Sequence, residues 1–214
     1  MKARDTLITV IDFETTGEVE GFPNQPWQVG MVLFRDGTVR TETAFESLLR
    51  VGERPFNPYA PGRHSQLRAA IAAAPRPDDL WPTLSPWLLD RCLVAHNVAA
   101  EKRCLADAFP LHRLGPWIDT LALARLAFPA MPSHQLEDLL PALGLAEQVR
   151  RLCPGRQPHD ALYDAVACAC LLEFLLHLPG WEDASVEALS RVRPSAFHRH
   201  HRTRRASRPD TPAQ

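Results

Sequence analysis

The stretch VIDFETTG, residues 10–17, decides how the chain is read. It continues TLITVI (6–11), an apolar and β-branched run with the composition of a central strand, and a strand is expected over 5–13. Asp12 and Glu14 interrupt it. Being two apart, they point to the same face of a strand. Adjacent like charges destabilise a fold unless something positive compensates them. No Lys or Arg lies between Ile8 and Gly21, so the compensating charge comes from an arginine elsewhere in the chain or from a metal ion.

The 214 residues suffice for one domain with some excess, and 45% hydrophobic with 23% charged content is that of a soluble globular protein. The net charge of -1 hides an asymmetry. From residue 191 onward there are seven arginines against one acid, which leaves 17 basic and 24 acidic residues in 1–190. One acidic domain, 1–194, and a basic, disordered tail, 195–214, are expected. The five cysteines include no CxxC pair and read as small buried hydrophobes rather than zinc ligands. The first residues lack the apolar run of a secretory signal, and AVACACLLEFLLHL (165–178) is too short for a membrane span. A cytoplasmic protein is expected.

Two further strands read at 27–34 and 39–49, joined by RDGT (35–38), since Asp-Gly between alternating runs signals a hairpin. Residues 51–64 are a Pro- and Gly-containing loop. Helices follow at 65–74, 78–91 and 98–108, with a buried strand at 92–96 before the last of these. A strand at 116–119 leads to helix 120–127, capped by Asp119, and then come helices 133–145 (N-capped by Ser133), 158–178 and 183–192. Antiparallel strands first, then strands alternating with helices, predict an α/β fold with a mixed sheet flanked by helices.

On this map further acids stand at the ends of core elements. Glu101 lies in the first turn of the helix after the fourth strand; His159 and Asp164 open the long last helix. Carboxylates converging from separate elements can hold two hard cations about 3.5–4 Å apart for phosphodiester hydrolysis. A neutral histidine beside them can take the proton from the attacking water. Asp12, Glu14, Glu101, Asp164 and His159 supply those parts. Taken singly, each has an ordinary explanation: a solvated edge strand, a turn, a cap, a surface pair. Asp119 is sufficiently explained as an N-cap and is left out of the site.

DFETTG (12–17), AHNVAAEKRCL (95–105), IDTLALARLAFP (118–129), SHQLEDLLPALGL (133–145) and HDALYDA (159–165) together resemble the motifs of the DEDDh, or DnaQ-like, 3′–5′ exonucleases. The resemblance covers residues 5 to 178. It implies a ribonuclease H-like fold with a mixed five-stranded sheet, and removal of nucleoside monophosphates from a 3′ end with two divalent ions, Mg2+ or Mn2+. By this resemblance Asp12, Glu14 and Asp164 are metal ligands and His159 is the general base. The tyrosine subclass would have Tyr where Asp160 stands.

Three positions depart from the family pattern. Glu101 replaces the usual Asp of the second motif, with the same charge and a longer reach, and Lys102 beside it is an alternative partner. HSQL (64–67) stands where relatives often have His-Gly-Ile-Thr. Trp27-Gln28 stands where many have an acid in the second strand. The substrate end is expected at the turn after the first strand, where Thr15 and Thr16 could hold the terminal sugar and phosphate, with His96 and Asn97 lining the same groove. Phe13 is expected in the core. The substrate implied is a single-stranded 3′ end, DNA or RNA, and the basic tail is a candidate for attracting it. A polymerase or another replication or repair protein is the candidate partner. The alternative is a weakly active or inactive nuclease-like subunit that binds nucleic acid or docks on a polymerase or helicase. Oligomeric state is not legible.

Overall fold

A computed structural model describes residues 1–192; the basic segment 195–214, and residues 193–194 before it, lie outside the described residues. Strands β1 (Ile8–Thr15), β2 (Pro26–Arg35), β3 (Thr38–Leu48), β4 (Cys92–Ala95) and β5 (Trp117–Asp119) form one sheet in the order β3-β2-β1-β4-β5. The pairs β1–β2 and β2–β3 are antiparallel; β1–β4 and β4–β5 are parallel. The hairpin between β2 and β3 turns on Asp36 (φ 53°) and Gly37 (φ 73°), the left-handed pair that an Asp-Gly hairpin uses. The mixed sheet is the one expected.

Helices cover both faces: α1 (Arg68–Ala73), α2 (Trp81–Leu88), α3 (Val98–Ala108), α4 (Thr120–Ala127), α5 (Leu136–Ala142), α6 (Ala146–Leu152), α7 (Ala161–Leu176) and α8 (Val186–Ser190). Alternation along the strands splits the core. Ile8 and Val10 of β1, with Val32, Phe34, Val94 and Ile118, pack under α7, α4, α5 and α6. Ile11, Val29, Met31 and Leu93 face the other way, onto Leu84 and Leu88 of α2 and Leu105 of α3, with Phe13 against the same cluster. Each such aliphatic side chain, fully buried, contributes about 1.5–3 kcal/mol.

The apolar run that forms α7 is apolar because the helix is buried almost all round, and among the described residues no helix is long and apolar enough to cross a membrane. Its N-terminal end lies directly on the sheet. A Cβ added at Gly30 of β2 would fall 2.2 Å from backbone atoms of Ala161 and Leu162, so only glycine permits the contact. Gly30 is the cross-strand partner of Asp12, and the contact therefore brings the first turn of α7 down onto the acidic end of β1.

Several boundaries differ from expectation for local reasons. The helix expected over 158–178 begins only at Ala161. His159 takes a left-handed conformation (φ 63°) and Asp160 an extended one (φ -116°, ψ 119°). The helix expected over 133–145 is confined to Leu136–Ala142, because Ser133 Oγ accepts from Gln135 N–H in a turn before it, and Gln135 occupies the N-cap. α6 was not expected. Within 78–91, Asp78–Leu80 form a 3-10 turn that runs into α2 at Trp81. All five cysteines are free and buried.

Candidate active site

The acidic residues converge at the end of β1 where its parallel neighbour β4 also stops. Asp12 and Glu14 face the α7 side, opposite Gly30 and Gln28 of β2. Glu101 enters from the first turn of α3, and Asp164 from the first turn of α7. Ligand atoms of Glu14, His159 and Asp164 lie within 4.8 Å of one another, close enough to share a cation. Glu14 is 7% exposed and Glu101 4%, so these carboxylates are held out of water.

Burial and mutual repulsion raise their affinity for protons. Glu14 is pushed up to about 8, first by burial and then by the charges of Asp164 and Asp160. Glu101 is likewise pushed to about 8, by burial and then by Asp119. Asp164 rises to about 6 because it is buried, although the His159 N–H it accepts pulls the other way. Asp12 is raised well above the ordinary carboxylate range by burial and then by Asp164, Glu101 and Glu14. Glu101 also carries a buried oxygen, Oε2, without a hydrogen-bond partner. A hard cation is the ligand that such a set fits, since it supplies the missing partner and favours every charged form. Lys102, the alternative partner considered for Glu101, extends its ammonium over the Trp117 ring, 5.7 Å from the centroid.

His159 is set by its backbone. Its N–H donates to Asp164 Oδ2 (2.9 Å), which ties the expected base to an expected ligand. On the far side its Nε2 lies 3.9 Å from Glu137 Oε2 of α5. The loop 51–64 closes over this turn: a Cβ at Gly62 (φ 91°) would lie 3.0 Å from the His159 carbonyl oxygen and 3.6 Å from Glu14 Oε2.

The residues expected at the substrate end divide. Thr15 accepts from Asn24 Nδ2 (3.1 Å) through its hydroxyl. Thr16 is turned inward at 1% exposure; its hydroxyl bonds Asn24 Oδ1 and accepts from Gln25 N–H. Asn97 is exposed, left-handed (φ 81°), and donates its N–H to Asp119 Oδ1. His96 uses both ring nitrogens inside the protein. Nε2–H donates to the His134 carbonyl (2.8 Å), so Nδ1 accepts from Thr120 Oγ1 (3.0 Å). Burial lowers its pKa to about 4, which keeps the ring neutral. Asp119 caps α4 as expected, accepting from Leu121 and Ala122 N–H.

Sequence reasoning missed the groups that hold His159 in place. Asp160, 1% exposed, bonds Arg63 Nη2 (2.9 Å), Arg156 Nη1 (3.1 Å) and Gln28 Nε2 (3.5 Å). Gln28 Oε1 accepts the first free N–H of α7, from Ala161 (3.4 Å). The sequence carried one negative signal, Gln28 in a pair that departs from the family pattern; Asp160 was noted only as the position where the tyrosine subclass has Tyr.

A mixed five-stranded sheet of this order, with acidic groups gathered at the end of its central strand, is the ribonuclease H-like exonuclease fold. The family model described as "Exonuclease" (RNase T) matches residues 9–172, and the chain belongs to that family. It is 27% identical to Exonuclease X, solved in complex with 5′ overhanging duplex DNA, with a TM-score of 0.66 over 86% of this chain and 98% of that one. The nuclease domain of 3′hExo, a DEDDh family member bound to rAMP, has the same fold (17% identity, TM-score 0.65, 85% and 96% covered). A stretch of 110 residues is 33% identical to the PolC-type DNA polymerase III of Bacillus cereus, half of this chain but 7% of that protein's length.

Proposed function

We propose that the protein hydrolyses nucleoside monophosphates from the 3′ end of single-stranded DNA or RNA. The observation that carries this reading is the convergence of Asp12 and Glu14 from β1, Glu101 from α3, and His159 and Asp164 from the start of α7 onto the end of the central strand. Asp12, Glu14, Glu101 and Asp164 would hold two divalent ions, magnesium or manganese. When bound, these supply the charge that acidifies the attacking water and offsets the negative charge gathering on the phosphate.

His159 takes the proton from that water. Asp164 accepts the His159 N–H and so fixes where the imidazole starts from. Thr15 is assigned to the terminal nucleotide, with the inward-turned Thr16 and the segment of His96 and Asn97 as supports of the groove wall. The residues assigned to the substrate recognise an end and a backbone rather than a sequence. A polymerase or another replication or repair protein is the partner class to test.

The test is a time course on 3′-labelled and 5′-labelled strands, as DNA and as RNA, with Mg2+, Mn2+ or chelator, beside Asp12→Ala. Mononucleotides released from the 3′ end only with metal, and not by the variant, are expected. A strand bound but left intact under every condition would make the protein a binding subunit instead.

A further inference from the structure

We propose that Asp160 is a positioning residue, which locks the turn carrying His159 through Arg63, Arg156 and Gln28 from three other parts of the chain. The inference rests on the reading of His159 as the base. A left-handed residue other than glycine, asparagine or aspartate is uncommon and persists where its surroundings over-determine it. Here the surroundings are explicit. The residue after His159 buries a carboxylate completely, its side chain 0% exposed, and two guanidinium groups meet on its Oδ2. Neither arginine is a helix neighbour that happens to face it. Arg63 belongs to the loop that brings Gly62 against the His159 carbonyl, and Arg156 also pairs with Glu46 of β3 (2.7 Å).

Asp160 would ordinarily cap α7, yet its side chain caps nothing. Gln28 has taken over that role through the Ala161 N–H and donates its amide to Asp160 Oδ1 at the same time. The acid at 160 is thereby freed to join the loop, β2, β3 and the segment before α7 at one point. Arg63, Arg156 and Gln28 meet on the Asp160 carboxylate, while Gln28 also holds the Ala161 N–H and Gly62 lies against the His159 carbonyl, so the position of the imidazole is set by this junction. A displacement of about 1 Å in a reacting group costs on the order of 100-fold in rate.

The test compares the full chain with Asp160→Asn, Arg63→Ala and Arg63→Lys. Hydrolysis of thymidine 5′-(p-nitrophenyl phosphate) with Mn2+ gives kcat and KM, Mn2+-induced stabilisation reports the carboxylate cluster, and amide hydrogen exchange follows residues 156–164. In Asp160→Asn we expect kcat to fall about 100-fold with KM within threefold. Stabilisation by Mn2+ should be kept, and exchange should be faster across the turn. Arg63→Lys should recover most of what Arg63→Ala loses. A kcat within threefold of the parent, unchanged exchange, or loss of kcat together with the Mn2+ response would overturn the proposal. If Asp160→Asn does not fold, Arg63→Ala decides by the same criteria, because Arg63 is partly exposed. A parent chain that hydrolyses nothing would refute the proposed function alone; hydrogen exchange in the variants would still decide whether Asp160 holds the turn.

Discussion

In Glu14→Gln an amide replaces a buried carboxyl that releases its proton only near 8. In the unfolded chain the same group ionises near its ordinary value of 4.5, so at pH 7 the fold gives up about 3 kcal/mol to keep it. The direction follows from proton counting. The folded state binds the extra proton, so the metal-free protein loses stability as pH rises from about 4.5 to about 8. Glutamine cannot ionise, and its NH2 can donate to Asp164 as the protonated carboxyl does. Without metal at pH 7 to 8, the variant should therefore melt about 6–12 °C above the parent, taking 2–4 °C per kcal/mol for a chain of this size. At pH 4.5 the two should coincide. With Mn2+ the order should reverse, because the ion stabilises only the protein that retains its ligands. Melting curves with chelator and with Mn2+, at pH 4.5, 6 and 8, check all three points. A variant that melts below the parent in chelator at pH 8 would refute the electrostatic account of the cluster.

Glu101→Asp withdraws a carboxylate by about 1.5 Å from a buried position where one oxygen already lacks a partner. The Mn2+ concentration for half-maximal activity should rise at least about tenfold, and an increase in Mg2+-supported rate would instead mean that Glu is a slack ligand. Asp119→Ala removes the cap of α4 and the Asn97 contact. It should cost about 1–2 kcal/mol of stability, read by melting, while kcat stays within a few fold. Gly30→Ala forces a methyl against the backbone of Ala161; destabilisation of about 3 kcal/mol is expected by chemical denaturation, with an unchanged midpoint disproving the close approach.

The sheet was legible because period-two patterning is local. TLITVI, the Asp-Gly hairpin and the short CLVA strand each carry their own signal, and Asp12 and Glu14 share a face by spacing alone. Asp119 was legible as a cap for the same reason. The details around His159 were not. Its left-handed conformation follows from contacts with Gly62 and Asp164, and two of the three partners of Asp160, Arg63 and Gln28, lie 97 and 132 residues away in the chain. Helical periodicity ran through HDALYDA without marking that the helix starts after Asp160. Helix α6 was missed because AEQVRRL follows Gly144 so closely that the expected end of one helix hid the start of another. The inward hydroxyl of Thr16 and the doubly bonded His96 are tertiary facts, set by Asn24, Thr120 and His134.

The five buried thiols give the fold an internal clock. Burial pushes Cys92, Cys104 and Cys170 up to about 12 and Cys153 to about 11, and raises Cys168, held against Thr120, well above the ordinary thiol value. The thiolate is the form that alkylating reagents attack, so the native protein should be nearly inert to them and modification should report transient opening. Cys104 is one helical turn beyond Glu101 on α3, whereas Cys168 and Cys170 lie in the middle of α7. Mass spectrometry of peptides alkylated under native conditions would thus time the loosening of the site's helix separately from unfolding of the core. The native cysteines serve as reporters without an introduced label.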